Sequence, residues 1–196
     1  MQISKTDFIH HLNCPKSLWL LKHKPDKYPH GEFSDYMKKL TFEGYEVEAY
    51  VKKLIKNQPN AASYSFQSIF QTQRGLYAKA DVIRDNGDGT INLYEVKSST
   101  SVKSSGQHNQ IKDAAFQKIA AEETGLKVAR VFIVHLNKDY VRQGDIDLEE
   151  LLILADVTSD VVEIEAVTGA EIDGALGLLA EHEIDESSCS CLQLTK

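Results

Sequence analysis

The sequence predicts a mixed α/β fold in the order helix, three strands, helix, strand, and three observations carry that expectation. Residues 75–84 and 90–97 are β-rich runs joined by Asp85-Asn86-Gly87-Asp88-Gly89. Asn-Gly and Asp-Gly between such runs signal a hairpin. Residues 128–136 (VARVFIVHL) are almost continuously apolar, as expected of a buried strand. Residues 34–56 and 107–124 repeat apolar side chains at helical spacing.

In chain order, residues 3–12 read as a short helix capped by Ser4 or Thr6, with Asp7 in its first turn. Cys14-Pro15 breaks it, and residues 16–23 (KSLWLLKH) form a second helix. Residues 24–33, with two prolines and a glycine, are a loop. Ser34 caps the long helix, whose apolar stripe is Met37, Leu40, Gly44, Val47, Val51, Leu54 and Ile55. Glu48 borders that stripe. It either faces inward or forms an exposed i,i+4 pair with Lys52. Residues 57–63 turn, and residues 64–73 form the first strand. Residues 98–106 are a Ser-rich loop carrying Lys103, and Gly125 ends the helix of residues 107–124. Beyond the loop at 137–145, we expect a short helix at 146–154, an extended piece at 161–166 and a helix at 170–182. Residues 186–196 form a polar tail with Cys189 and Cys191.

The hairpin brings chemistry together. Opposed residues in an antiparallel pair have positions that sum to a constant. Asp81 and Glu95 are equidistant from position 88, so they lie opposite each other with Cβ atoms about 5 Å apart. Lys97 shares the face of Glu95. Two carboxylates this close repel, and a cation between them relieves the repulsion. A hard divalent ion held by carboxylates suits such a site. The alternative is a solvated face on which Lys97 merely neutralises Glu95. A calcium loop is excluded, because Val96 stands where the closing glutamate would be.

The chain has 196 residues, 42 % of them hydrophobic, which suits one domain with a real core and appendages. No apolar run reaches the roughly 18 residues of a membrane span. The N-terminus has no signal-peptide core, so a cytoplasmic location is expected. The net charge of −7 is uneven: +3 over residues 1–60, +3 over 61–144 and −13 over 145–196. A phosphate-tracking surface is therefore expected on residues 1–144, with Lys16, Lys38 and Lys103 as candidates. The expected layout is a helical segment at 1–33, a core at 34–144 and an acidic helical extension at 145–196.

Several stretches carry a family resemblance. They are Ile3-Ser4-Lys5-Thr6-Asp7-Phe8 leading to Cys14-Pro15-Lys16-Ser17-Leu18-Trp19, and Gly44-Tyr45-Glu46-Val47-Glu48. Ala80-Asp81, Tyr94-Glu95-Val96-Lys97, Asp113-Ala114-Ala115-Phe116-Gln117 and residues 135–142 follow. In this order they resemble the PD-(D/E)xK nuclease superfamily. More narrowly, the chain is similar to the RecB-like nucleases, including the iron–sulfur nucleases of CRISPR adaptation, and to a bacterial RecB-like family. The resemblance implies a restriction-endonuclease-like core and a Mg2+- or Mn2+-dependent nuclease acting on DNA, single-stranded or at ends. It implies Asp81 and Glu95 as metal ligands, with the Val96 carbonyl completing the site and Lys97 positioning or activating the attacking water. Gln117 matches the glutamine of a helical Q-x-x-x-Y motif whose tyrosine is Ala121 here. Many relatives place a metal-binding histidine four residues after a helical glycine; that position is Glu48, an oxygen ligand candidate. These two departures favour an alternative, a nuclease-fold module that binds nucleic acid without cutting it. A further alternative is an interaction module acting through the acidic tail. In the iron–sulfur members one N-terminal and three C-terminal cysteines hold a 4Fe–4S cluster. Cys14, Cys189 and Cys191 supply three. The expectation is a fourth cysteine beyond Lys196, with His182 or water as the substitute. Otherwise the three are free thiols, since cytosolic disulfides are rare.

Overall fold

The structure is a computed structural model describing residues 1–26, 35–106 and 109–186. It begins with a two-residue strand, β1 (Ile3–Ser4), that turns directly into helix α1 (Lys5–Asn13). Ser4 and Asp7 form a capping box: the Ser4 hydroxyl accepts the Asp7 amide, and the Asp7 carboxylate accepts the Ser4 amide. Two amides that a helix start would leave without partners are thereby satisfied. Cys14 ends α1 and caps α2 (Pro15–His23), with Pro15 at the first position, where a missing N–H costs nothing. Then come α3 (Asp35–Lys56), a 3-10 turn (Ala61–Ser63), β2 (Tyr64–Gln71), β3 (Leu76–Asp85) and β4 (Ile91–Val96). They are followed by α4 (Gln110–Glu123), β5 (Val128–Leu136), α5 (Leu148–Leu151), β6 (Leu152–Asp156) and α6 (Thr158–Ala180). The expected Ser34 cap lies outside the described residues. The helix expected from residue 107 begins at Gln110, capped by Asn109.

The six strands form one mixed sheet in the order β1-β3-β4-β5-β6, with β2 also paired to β3. Val82 stands opposite Tyr94, the register that symmetry about position 88 requires. β4 and β5 run parallel, as the intervening α4 demands. Helices α1, α2, α4 and α6 cover one face, where Phe8, Trp19, Phe116, Ile133 and Ile172 share a core. Helix α3 covers the other, with Val47, Val51 and Ile55 against Val82, Tyr94 and Val134. The fold is thus mixed α/β, a central mixed sheet flanked by helices. No described helix is long and apolar enough to cross a membrane.

Side chains on β4 alternate cleanly between the two faces. Ile91 and Leu93 join the first core, Tyr94 and Val96 the second. Strand β3 breaks that alternation: Ala78 and Ala80 face the first core, and Val82 faces the second. The break falls at Asp81. β2 switches faces beside it, between Phe66 and Phe70. Gln67, in that switch, has φ +56°, the one positive φ outside glycine among the described residues.

Two expectations are corrected. The helix expected at 146–154 is one turn, α5, after which residues 152–156 pair with β5 as an edge strand. A short apolar run such as Leu151-Leu152-Ile153-Leu154 does not reveal its period. The extended piece expected at 161–166 is the first half of α6. Its buried residues Val161, Thr168, Ile172, Ala175 and Leu179 recur at helical spacing over 23 residues. Acidic side chains of α6 are partly neutralised by basic neighbours: Glu165 by Lys118, Glu171 by Lys112 and Asp173 by Arg74.

Candidate active site at the β3–β4 fork

One edge of β3 is shared between two strands. Leu76 and Tyr77 pair with β1, and Val82 to Asp85 pair with β4. β2 occupies the other edge. Residues 78–81 therefore line a fork from which β4 departs. Asp81 sits at its apex, and its Oδ2 accepts the Val96 amide at 2.8 Å. A side chain here does the work of a ladder carbonyl, so the Val96 N–H keeps a partner.

Glu95 projects to the α4 side of the sheet and is 3 % exposed. Its Oε1 accepts Lys5 Nζ at 2.5 Å and Lys97 Nζ at 2.7 Å. Its Oε2 accepts the Gln117 side-chain amide. Lys97 also reaches the Asp113 carboxylate at 2.6 Å. Asp113 and Gln117 are one helical turn apart, so α4 presents both to the fork. Glu48 approaches from α3. It accepts a hydrogen bond from Gln67 Nε2 at 3.1 Å and pairs with Lys52 at 3.7 Å. Glu48 is half-buried, not exposed: it keeps the i,i+4 pair with Lys52 while its charge acts on Asp81.

The electrostatics separate the two carboxylates. Burial, then the Glu95 charge, push Asp81 up to about 7, with Glu48 adding and Lys5 and the Val96 amide opposing. Burial alone would raise Glu95 too, but the ammonium groups of Lys5 and Lys97 outweigh it and hold Glu95 well below the usual carboxylate range. Lys97 is held well above the usual lysine range, because Glu95 and Asp113 outweigh its burial. The two ammonium groups thus favour an ionised Glu95, its carboxylate and that of Asp113 favour a protonated Lys97, and Asp81 is pushed up to about 7.

The Asp81–Glu95 repulsion is what a cation between them would relieve, and the hard oxygen donors suit Mg2+ or Mn2+. No group of three His, Cys, Asp or Glu side chains stands together as a metal cluster among the described residues. Asp81, Glu95, the Val96 carbonyl and water would form the ligand set, with Glu48 behind. Mg2+ commonly keeps several waters in this way.

The structure brings Asp81, Glu95, Val96, Lys97 and Gln117 together, and Glu48 acts on Asp81 from α3. Cys14 lies elsewhere, buried at the α1–α2 junction, where its Sγ accepts the Ser17 amide. Cys189 and Cys191 lie outside the described residues. The stretch after α6 does return to α2: Glu181 O accepts Trp19 Nε1–H, and Asp185 pairs with Lys16 at 3.8 Å. Cys14, Cys189 and Cys191 would supply three of the four positions of a 4Fe–4S cluster, and His182 is exposed. Of the candidate phosphate-binding lysines, Lys16 is paired with Asp185 and Lys38 with Asp35, while Lys103 is exposed on the loop before α4. Sequence reasoning gave no role to Lys5, Asp113 or Gln67. The four-residue spacing of Asp113 from Gln117 was the one available signal.

No protein-family profile matches the chain, and no curated protein matches it. Solved structures do. An alkaline exonuclease from Laribacter hongkongensis aligns with a TM-score of 0.53 at 12 % identity, covering 91 % of this chain and 89 % of that one. The protein SSO0001 aligns at 0.49 and 13 % identity, over 97 % of this chain and 82 % of its own. A provisional exonuclease from Eubacterium rectale aligns at 0.39 and 15 % identity, over 100 % and 76 %. The first of these carries the fold comparison: the chain shares that structure's restriction-endonuclease-like fold, a central mixed sheet flanked by helices.

Proposed function

We propose that the chain is a metal-dependent nuclease that hydrolyses DNA phosphodiester bonds, in single strands or at ends. One observation carries the reading: Asp81, Glu95 and Lys97 meet at the fork of a fold shared with an exonuclease. The exonuclease activity named for that neighbour favours attack at ends.

The residues divide the work by their charge states. Asp81, Glu95 and the Val96 carbonyl would hold Mg2+ or Mn2+, with Glu48 reaching the site through water. The bound ion supplies a lowered water pKa and takes up charge on the phosphate. The Glu95 and Asp113 carboxylates favour the protonated form of Lys97, which donates hydrogen bonds to both. Lys97 stabilises the negative charge that develops on the attacking water and phosphate oxygens. Asp113 and Glu95 fix the direction of that ammonium group. Gln117 holds the Glu95 carboxylate in one orientation. No step is assigned to an iron–sulfur cluster. The test is incubation of the purified protein with labelled single- and double-stranded DNA and Mg2+ or Mn2+, with EDTA and Lys97→Ala as controls.

A further inference from the structure

We propose that Lys5 holds the place of the divalent cation at Glu95: the ion enters by displacing the Lys5 ammonium group, which then becomes a second cationic contact to the substrate phosphate. This rests on the metal-dependent reading above.

Three donors already occupy the Glu95 carboxylate, two of them on Oε1. Its Oε1 carries two ammonium groups, and its Oε2 carries the Gln117 amide. A carboxylate oxygen offers two lone pairs, so both sites on Oε1 are taken. An ion that binds at Oε1, at about 2.1 Å, displaces a donor there, whereas Oε2 keeps one site beside the Gln117 amide, and the donors differ in their freedom to leave. Gln117 is buried on α4, and Lys97 has a second anchor in Asp113. Lys5 has Glu95 as its single hydrogen-bonding partner among the described residues, and its side chain is 26 % exposed. Its charge acts on Asp81 as well as on Glu95, the same two carboxylates the ion would serve.

The chain also spends structure on placing Lys5. β1 is only two residues long, yet Ile3 is fully buried and pairs with Leu76, and Ser4 pairs with Tyr77. The Ile3 amide donates to Gly75 O at 2.9 Å. Gly75 has φ +102°, and a Cβ there would stand 2.7 Å from Met1 O, so glycine is what permits β1 to approach. The Ser4–Asp7 capping box then fixes the turn into α1. Lys5 emerges beside residues 78–81, the stretch of β3 edge left between β1 and β4. Once displaced, a compact ammonium on a flexible four-carbon stem suits a phosphate oxygen beside the ion.

The experiment measures Mn2+ binding to the full chain by calorimetry, for wild type, Lys5→Met and Lys5→Arg. Single-turnover DNA cleavage is followed in parallel. Removing the competing charge should make Lys5→Met bind Mn2+ about tenfold more tightly, while its single-turnover rate falls. Lys5→Arg should bind Mn2+ no more tightly than wild type. Wild-type binding with equal or weaker binding by Lys5→Met overturns the Lys5 proposal and leaves the nuclease reading standing. Absence of Mn2+ binding in both proteins overturns both. Should Lys5→Met not fold, side-chain lysine NMR on wild type decides. Mg2+ should shift the Lys5 signal; saturation with Mg2+ that leaves it unmoved overturns the proposal.

Discussion

The Asp81 carboxylate takes the Val96 amide at 2.8 Å, so a side chain joins β3 to β4 just past the last paired residues, Val82 and Tyr94. That placement is costly. Asp81 is half-buried and faces a second carboxylate.

Stability should reveal the cost. The Asp81 carboxyl titrates at about 7 folded against 3.8 for the unperturbed group. Between those values the folded state binds more protons than the unfolded state, so this residue's contribution falls as pH rises from about 4 to 7. In EDTA at pH 8, Asp81→Asn should melt higher than wild type, by an amount on the order of 1–3 kcal/mol. The gain should vanish near pH 4. Thermal melts across that range check it; an Asn variant that melts lower at pH 8 contradicts the assignment.

Gln117 supports Glu95 from inside the protein. Gln117→Leu leaves Glu95 Oε2 without its donor in a buried setting, which should destabilise by about 1–3 kcal/mol. Loss of the carboxylate's orientation should lower cleavage by roughly 10- to 100-fold. Urea unfolding and single-turnover kinetics measure both effects. A variant as stable as wild type would show that the bond adds nothing.

Gln67 tests the face switch. At φ +56° a glycine avoids a left-handed penalty of about 1–2 kcal/mol but adds chain entropy worth about 0.5–1 kcal/mol. Gln67→Gly should therefore be near neutral, whereas Gln67→Val, β-branched, should cost more than about 1 kcal/mol. Equal stability of the two variants would argue against strain at this position.

DNA binding in Ca2+, without turnover, should weaken steeply with salt if several phosphates are neutralised. Lys103→Glu, on the loop that follows the site, should reduce affinity further. Fluorescence anisotropy measures both, and an affinity indifferent to salt would contradict a phosphate-tracking surface.

Much of the site was legible because a hairpin is governed by local rules. The Asn-Gly and Asp-Gly turn set the register, and register placed Asp81 near Glu95. The resemblance, not periodicity, singled out Gln117, whose amide meets Glu95 from α4. Lys5 was not legible, because its position depends on a two-residue strand paired to a segment more than 70 residues away. The left-handed backbone of Gln67 leaves no mark in side-chain type. β6 and the first half of α6 were misread because short apolar runs fit either period, and pairing with β5 and packing against the first core decided them.

Single-turnover cleavage of end-labelled single-stranded DNA, with wild type and Lys97→Ala compared at saturating Mn2+, tests the central claim most directly. The account predicts cleavage by wild type that EDTA abolishes, and a loss of at least about 100-fold in Lys97→Ala, with the variant still folded and still binding DNA. Cleavage that survives EDTA or the Lys97 substitution, or a folded wild type that binds Mn2+ and DNA without cutting, would contradict it.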